Sequence, residues 1–345
     1  MPLVRKVLLA VLLITVMAVG CVLVKFRAFI VPAFATLTHR VGAIDFYGVG
    51  TANLENIRGK LPVRVGDWSA RLHSGHGRNA DFEQATGHTP VYVTPVCCDE
   101  RGREWVFVGL GGTKVRPAPR PTGPEKLSQP MLDLYNEFFR GLMAAIGRGN
   151  TAEEHTAGYA LSKDPELRAI QVRMREAALR KVQELYAIAA HATDATSRAA
   201  AVHLLGYAQR SPRLVAALGA AARDADESVR NNATRALGVL LAAFPEDSKS
   251  FDLDYFFDLM NSISWSDRNK ASMVLEQVSR ARDRSILDRM KAKSGDALVE
   301  MARWTSPHRG NAVLILARIG GMDEVTLMDK TQRGLFDEIL ESVVW

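Results

Sequence analysis

The fold is decided by the stretch RAAAVHLLG at residues 198–206, which recurs as RNNATRALG at residues 230–238. Both copies place an alanine three residues after the arginine and apolar residues six and seven after it. In a helix these offsets share one face, so each copy predicts a packing stripe with one small and two apolar positions. Two weaker copies begin at Arg268 and Arg309.

The four copies share an arginine, an alanine and a large apolar residue. In chain order these repeat residues are Arg198, Ala201 and Leu205; Arg230, Ala233 and Leu237; Arg268, Ala271 and Leu275; and Arg309, Ala312 and Leu316. The first two copies add a closing glycine, Gly206 and Gly238, and an acid four residues before the arginine, Asp194 and Asp226. The arginines stand about 30 to 40 residues apart, a period typical of helical-hairpin solenoids.

The second copy carries a resemblance to a known family. The run from Asp226 to Gly238 resembles a HEAT repeat of the short bacterial type, which also occurs in phycobilin lyases. The resemblance implies antiparallel helical hairpins stacked side by side, with the acids and arginines tying neighbouring hairpins together. Together with the period, it predicts a mainly α protein with a HEAT-type α-solenoid over residues 127–345.

A proline-rich segment precedes the predicted helices. Residues 113–126 hold four prolines, which lack an N–H donor and fix φ, so we expect a stiff linker. Past Leu127 the pattern predicts no strand. An amphipathic helix is expected over residues 131–146, and a longer one after Asp164-Pro165, running toward His191, because an acid before a proline is typical of a helix start.

Residues 44–112 predict a small α+β domain. Strands are expected at 44–47, 91–97 and 105–108, and helices at 53–61 and 78–85. This βααββ order, with FYG at residues 46–48 and LPVRVGD at residues 61–67, resembles a POTRA domain. The resemblance implies an extracytoplasmic docking module that accepts an extra strand at a sheet edge, whereas a spacer domain is the alternative.

The N-terminus predicts a membrane segment within residues 1–43. Residues 7–24 are apolar or small apart from one threonine, and basic residues flank them on both sides. The run is just long enough to cross a bilayer as a helix, so we expect an uncleaved anchor. A cleaved signal peptide and a lipoprotein modified at Cys21 remain alternatives. The predicted location is a bacterial inner membrane, single-pass, with the soluble part in the periplasm.

Composition limits the classes of partner. The formal net charge is +6, but Lys and Arg are spread along the chain, which makes nucleic acid an unlikely partner. With 3 cysteines, one of them in the apolar run, no disulfide framework is predicted.

Potential metal ligands are densest in the small domain, where we note His73, His76, His88 and Cys97. Their spacing differs from the two tight ligand pairs of a structural zinc site, so no metal is predicted. Cys97 and Cys98 are expected on opposite faces of a strand, which would leave at most one of them as a ligand.

No catalytic constellation is visible, and no cofactor is predicted. Catalysis needs a nucleophile with a base, paired carboxylates in a cleft, or an open metal site. The sequence therefore predicts a membrane-anchored scaffold that binds one or more protein partners through its solenoid surface. The alternative is a metal- or chromophore-dependent enzyme of the HEAT-like lyase type.

Overall fold

The structure is a computed structural model that describes residues 39–73, 78–111 and 115–343. The predicted membrane segment and His76 lie outside these residues. Within them, no helix combines the length and apolar character needed to cross a membrane. The described chain is mainly helical, with a small sheet.

Backbone contacts divide the chain into two compact units. The first consists of the described residues of Met1–Ile44, Asn53–Gly87 and Val93–Phe107, and the second of those in Asp45–Ala52, His88–Tyr92 and Val108–Trp345. The predicted domain boundaries at residues 43, 112 and 126 are not tested by this division and stay predictions.

The small sheet contains three strands in the order β1-β3-β2. Its strands are β1 (Val41–Tyr47), β2 (Val91–Val96) and β3 (Glu104–Leu110), and the accompanying short helices are α1 (Leu54–Lys60), α2 (Ala70–His73) and α3 (Arg78–Thr86). The elements follow the predicted order, with α2 as an addition. Asn53 caps α1 by accepting a hydrogen bond from the Asn56 N–H.

Eleven helices of the described second unit follow. They are α4 (Gln129–Gly147), α5 (Pro165–His191), α6 (Ala195–Leu205), α7 (Pro212–Ala221), α8 (Glu227–Ala243), α9 (Leu253–Leu259), α10 (Trp265–Ser279), α11 (Arg284–Ala302), α12 (Gly310–Ile319), α13 (Glu324–Gln332) and α14 (Phe336–Glu341), with 3-10 turns at Pro245–Ser250 and Pro307–Arg309.

Local sequence sets several of the helix starts. Asp164 accepts hydrogen bonds from the backbone of Glu166 and Leu167, and Pro165 takes the first helical position of α5, as predicted. Asp194 and Asp226 cap α6 and α8 in the same way. These acids satisfy N–H groups that a helix start leaves without partners.

The helices pack in a regular order. Helices α6, α8, α10 and α12 each contact the next, and each also packs against the helix that precedes it in the chain. Among those preceding helices, α5 contacts α7, and α9 contacts α11. The second unit thus contains four consecutive helical hairpins whose equivalent helices are neighbours.

Two features differ from the predictions for this region. A two-residue pair of antiparallel strands, β4 (Glu153–Glu154) and β5 (Leu161–Ser162), lies where no strand was predicted, because strands this short leave no periodic signal. The linker is also held by hydrogen bonds. The Gly123 N–H donates to the His191 carbonyl at 2.7 Å, and the Ala118 N–H to the Arg223 carbonyl at 2.6 Å.

The second unit includes a segment from far earlier in the chain, Asp45–Ala52. The buried Asp45 carboxylate accepts hydrogen bonds from the Thr305 N–H at 3.0 Å and the Ser306 N–H at 3.2 Å. Glu300 accepts hydrogen bonds from two backbone N–H groups of this segment, both at 2.8 Å. The Glu300 carboxylate on α11 and the donors Thr305 and Ser306 after it therefore hold a segment separated from them by about 250 residues.

Candidate functional site

The first two repeat arginines are buried and paired. Arg198 donates two hydrogen bonds to Asp224, both at 2.8 Å, and further ones to the carbonyls of Ala192 and Thr193 after α5. Arg230 repeats this geometry with Asp267, at 2.9 Å for both bonds, and with the two carbonyls that precede Asp226. Each arginine therefore links the end of one helix to an acid close to the next repeat helix.

The acids that make these links differ from those implied by the family resemblance. Asp194 and Asp226 cap their own helices, while the carboxylates that receive the arginines belong to Asp224 and Asp267. Burial raises the pKa of Asp267 even though the Arg230 guanidinium opposes this shift. Sequence spacing alone could not distinguish a cap from a cross-link, because Asp224 lies just before α8 as the capping Asp226 does, and Asp267 lies in the first turn of α10.

The third and fourth arginines have other partners. Arg268 is buried, donates to the Ser262 carbonyl at 2.6 Å and lies over the Tyr47 ring, 4.7 Å from its centroid. Burial lowers its pKa. Arg309 instead pairs with Asp337 at 2.8 Å, in an exposed position. The later copies lack the aspartate four residues before the arginine, and their arginines also have partners of a different kind from those of Arg198 and Arg230.

The alanine and leucine positions of all four copies are buried. Ala201, Ala233, Ala271 and Ala312 have no exposed surface, and their leucine counterparts Leu205, Leu237, Leu275 and Leu316 are at most 1% exposed. Gly206 and Gly238 mark close approach between neighbouring repeat helices. A Cβ at Gly238 would lie 2.9 Å from Cγ of Met273 on α10, and one at Gly206 would lie 3.1 Å from Cβ of Ala236 on α8.

The contact between Gly238 and Met273 sets the register of α8 against α10. Arg235 and Lys270 each stand three residues before one of these two contact residues, about one helical turn away. They therefore lie side by side on neighbouring helices. His308, just before α12, is close enough to Lys270 to feel its charge. Its ring packs edge-on against Trp265, with the ring centroids 5.0 Å apart. We call Glu153, Arg235, Lys270 and His308 the Lys270 site.

Arg235 is paired within the Lys270 site. Its guanidinium donates to the Glu153 carboxylate at 2.6 and 2.8 Å, and His155 lies 3.5 Å from the same carboxylate. Although burial opposes the shift, the hydrogen bond from His155 and the charge of Arg235 lower the pKa of Glu153 to about 2. The charge of Arg235 is thus balanced inside the protein.

Lys270 is different. Its side chain is half-buried, and within residues 39–73, 78–111 and 115–343 its ammonium has no hydrogen-bond acceptor or paired carboxylate. Burial and the charge of Arg235 lower its pKa to about 8, with Glu153 opposing. Burial and the charge of Lys270 lower the pKa of His308 to about 4, which leaves that imidazole neutral at pH 7. The site therefore presents one partly desolvated cation, a position suited to a carboxylate or another anion.

His203 occupies the position on α6 that Arg235 occupies on α8, five residues after the repeat arginine. Helix α4 covers it, and the rings of Tyr135 and Phe138 lie 5.3 and 4.5 Å from the imidazole. Burial lowers the pKa of His203 to about 3. The position five residues after the repeat arginine is therefore covered by α4 at His203, whereas Lys270, two residues after its own repeat arginine, is half-buried.

The predicted metal-ligand candidates do not form one group in the described structure. His73 pairs with Glu104 at 2.9 Å, and although burial opposes the shift, the His73 hydrogen bond lowers the pKa of Glu104. His73 and Cys97 belong to the first unit and His88 to the second, while His76 lies outside the described residues.

A different group contains Cys97. Strand β2 ends at Val96, and Cys97 and Cys98 are joined by a disulfide, so the prediction that they lie on opposite faces of a strand is wrong. His39 lies beside them, with its Nδ1 atom 3.6 Å from Sγ of Cys98. Sequence reasoning missed His39 because it stands 58 residues before Cys97 and belongs to no spacing pattern.

Comparisons with known proteins do not assign a family. No protein-family model matches the sequence, and no curated protein matches it. The chain is similar to the crystal structure of an engineered protein, with 16% identity and a TM-score of 0.37 over 62% of this chain and 88% of that chain. At that TM-score the likeness assigns neither fold nor function.

Proposed function

We propose that the chain is a membrane-anchored, non-catalytic scaffold whose helical second unit is a HEAT-type α-solenoid that binds an acidic segment of a partner protein at the Lys270 site. The observation that carries the proposal is Lys270 itself, a half-buried lysine whose ammonium makes no hydrogen bond or ion pair among the described residues. A cation in that position is stabilised when a ligand supplies the missing carboxylate.

The order of helix packing supports the solenoid part of the proposal. Equivalent helices of consecutive hairpins are neighbours, so each hairpin buries its apolar stripe against the next one. The buried pairs of Arg198 with Asp224 and Arg230 with Asp267 add a directional link between repeats. Positions that vary between the copies, including Lys270, are left to meet a partner.

Charge supports the choice of an acidic protein segment. The lysines and arginines are spread along the sequence rather than clustered, which disfavours a nucleic-acid backbone as the partner. In the part of the chain that the structure describes, Lys270 has no ion pair, while its neighbour Arg235 is already balanced by Glu153. A single carboxylate is therefore sufficient, and glutamate or aspartate side chains supply it.

The remaining parts of the proposal concern the first unit and the N-terminus. Strand β2 is an outer strand of the sheet, which is the position from which a POTRA-like domain would add a strand from a partner. The apolar segment at residues 7–24 would place both units next to a membrane, and we propose the periplasmic side of a bacterial inner membrane.

Site-specific cross-linking in membranes tests the proposal. A photo-crosslinking residue replaces Asn231, which is half-buried on α8 one turn before Arg235. We expect cross-linked partner peptides that are rich in Asp and Glu, identified by mass spectrometry. Lys270→Gln should reduce their yield about tenfold, because it removes the ammonium and keeps a side chain of similar length.

Two controls make the result specific. Lys291→Gln removes an exposed lysine on α11, which is not one of the repeat helices α6, α8, α10 and α12. This change should leave the yield unchanged. A crosslinker at Val325 on α13, which is 83% exposed, should not capture the same peptides. Equal capture by the wild type and by Lys270→Gln, or peptides without acidic residues, would contradict the proposal.

A further inference from the structure

The group formed by His39, Cys97 and Cys98 lies entirely within the first unit. The two cysteines are joined by a disulfide directly after β2. The imidazole Nδ1 and the two sulfur atoms all lie within 4.8 Å of one another, and all three residues are half-buried. Among the described residues, this is the group of His, Cys, Asp and Glu side chains whose ligand atoms are close enough to share one metal ion.

The distances fit a thiophilic ion once the disulfide is opened. Zinc–sulfur bonds of about 2.3 Å and zinc–nitrogen bonds of about 2.0 to 2.1 Å, at tetrahedral angles, separate a sulfur from a nitrogen ligand by about 3.6 Å. The measured separation between Sγ of Cys98 and Nδ1 of His39 is 3.6 Å. Two thiolates on the same ion would stand about 3.8 Å apart, a separation that the intact disulfide forbids.

We propose that His39, Cys97 and Cys98 form a redox-gated binding site for a thiophilic metal ion, closed in the disulfide form and open in the dithiol form. The ion class is Zn²⁺ or Cu⁺, because thiolate and imidazole ligands favour these ions over oxygen-preferring ones such as Mg²⁺ and Ca²⁺. The fourth position of a tetrahedral ion is left to solvent or to a ligand.

The gating step is a thiol–disulfide exchange with a dithiol reductant. A thiolate of the reductant attacks one cysteine sulfur, forms a mixed disulfide and releases the other cysteine as a thiolate. The second thiol of the reductant then displaces the remaining cysteine, so the reductant leaves as a disulfide. Cys97 and Cys98 together gain two electrons and two protons, and the metal displaces those two protons on binding.

His39 changes its hydrogen bonding in the same step. In the disulfide form Nδ1 lies 2.7 Å from the Gly102 carbonyl oxygen, which only accepts, so Nδ1 carries the proton and donates it. Coordination through Nδ1 requires the other tautomer, in which the proton is on Nε2. In the disulfide form a proton therefore occupies the Nδ1 lone pair, which must be free to bind the metal in the dithiol form.

Metal titration of the purified full-length chain tests the proposal. A Cys21→Ser background removes the third thiol, so that free thiols rise from zero to two on reduction. The oxidised chain should bind neither ion. The reduced chain should bind one Zn²⁺ or one Cu⁺, measured separately by competition with a chromophoric chelator, and should release two protons for each ion bound.

Variants assign the ligands. Cys97→Ser, Cys98→Ser and His39→Ala should each weaken binding by at least about 100-fold, since loss of outer-shell partners alone costs 10- to 100-fold. His73→Ala changes a nearby histidine that pairs with Glu104 and should bind as the parent does. If a serine variant does not fold, alkylation of the two thiols in the reduced parent provides the same loss of ligands, with circular dichroism as the check on folding.

The results that would overturn the proposal are specific. Equal metal binding by the oxidised and reduced chains would show that the disulfide does not control binding. Binding unchanged by His39→Ala would show that His39 is not a ligand. A reduced chain that binds neither ion more tightly than its alkylated form would exclude the site. None of these results bears on the Lys270 site, which lies in the second unit.

Discussion

Two arginines on helix α8, Arg230 and Arg235, both pair with an acid but differ in burial and in their place in the repeat. Arg230 is buried, pairs with Asp267 and belongs to the repeat, whereas Arg235 is half-buried, pairs with Glu153 and has no arginine counterpart in the other copies. The repeated position holds the helices together. The variable position belongs to the site, so repetition in this chain identifies structure, and departure from repetition identifies candidate function.

The largest expected effect is on the repeated position. Arg230→Leu leaves the Asp267 carboxylate buried without its cation, and should lower the free energy of unfolding by about 3–5 kcal/mol in urea denaturation. The double variant with Asp267→Leu should be more stable than the single one, since it removes the uncompensated charge. A double variant no more stable than Arg230→Leu would show that the pair is not the source of the loss.

His203 tests whether α4 closes its position. Its pKa is depressed to about 3, so its contribution to stability is fully present above the unfolded pKa of about 6.5 and is lost as the pH falls toward 3. His203→Phe keeps a ring among Tyr135 and Phe138 but cannot be protonated.

The measurement is urea unfolding at pH 7.5 and pH 4.5 for both proteins. The loss of unfolding free energy between these values should be about 2–3 kcal/mol smaller in His203→Phe than in the wild type. Identical losses would mean that the imidazole is accessible to protons in the folded state, and that α4 does not close this position.

A third expectation concerns the pH dependence of the Lys270 site. Because the pKa of Lys270 is about 8, raising the pH from 7 to 9 should weaken the binding of a ten-residue polyglutamate peptide about tenfold, measured by fluorescence anisotropy at constant salt. Lys270→Gln should bind weakly and independently of pH over this range. If peptide binding by the wild type did not change with pH, the peptide would bind at a site other than Lys270.

The smallest effect is expected at an exposed ion pair. Asp254 pairs with Arg289 and Lys293 on the surface, and these cations lower its pKa. Asp254→Asn should cost less than about 1 kcal/mol of unfolding free energy, because solvent screens exposed pairs. A loss comparable to that of Arg230→Leu would remove the distinction between buried and exposed pairs in this protein.

Much of the helical half followed from local patterns. The start of α5 at Asp164-Pro165 and the burial of all four alanine and leucine stripes agree with helical spacing. The acids that pair with the arginines could not be predicted from the sequence. Asp194 and Asp224 both stand shortly before a helix, although only Asp224 receives an arginine. Strands β4 and β5 were missed for a related reason, since two residues are too few to show a period.

The candidate sites depended still more on tertiary structure. Nothing in the sequence distinguishes Lys270 from the other lysines. The register of α8 against α10 places it beside Arg235, which already pairs with the nearby Glu153. His39 likewise reaches Cys98 only because the chain folds back over 58 intervening residues.

The sequence by itself determined where helices form and which of their faces are buried, because backbone hydrogen bonding and the hydrophobic effect act over a few residues. Only the tertiary structure decided which charges are paired, as with Asp45 accepting hydrogen bonds from Thr305 and Ser306, 260 and 261 residues away. Pairing depends on distances of about 3 Å between atoms, and no pattern along the chain specifies such distances between remote residues.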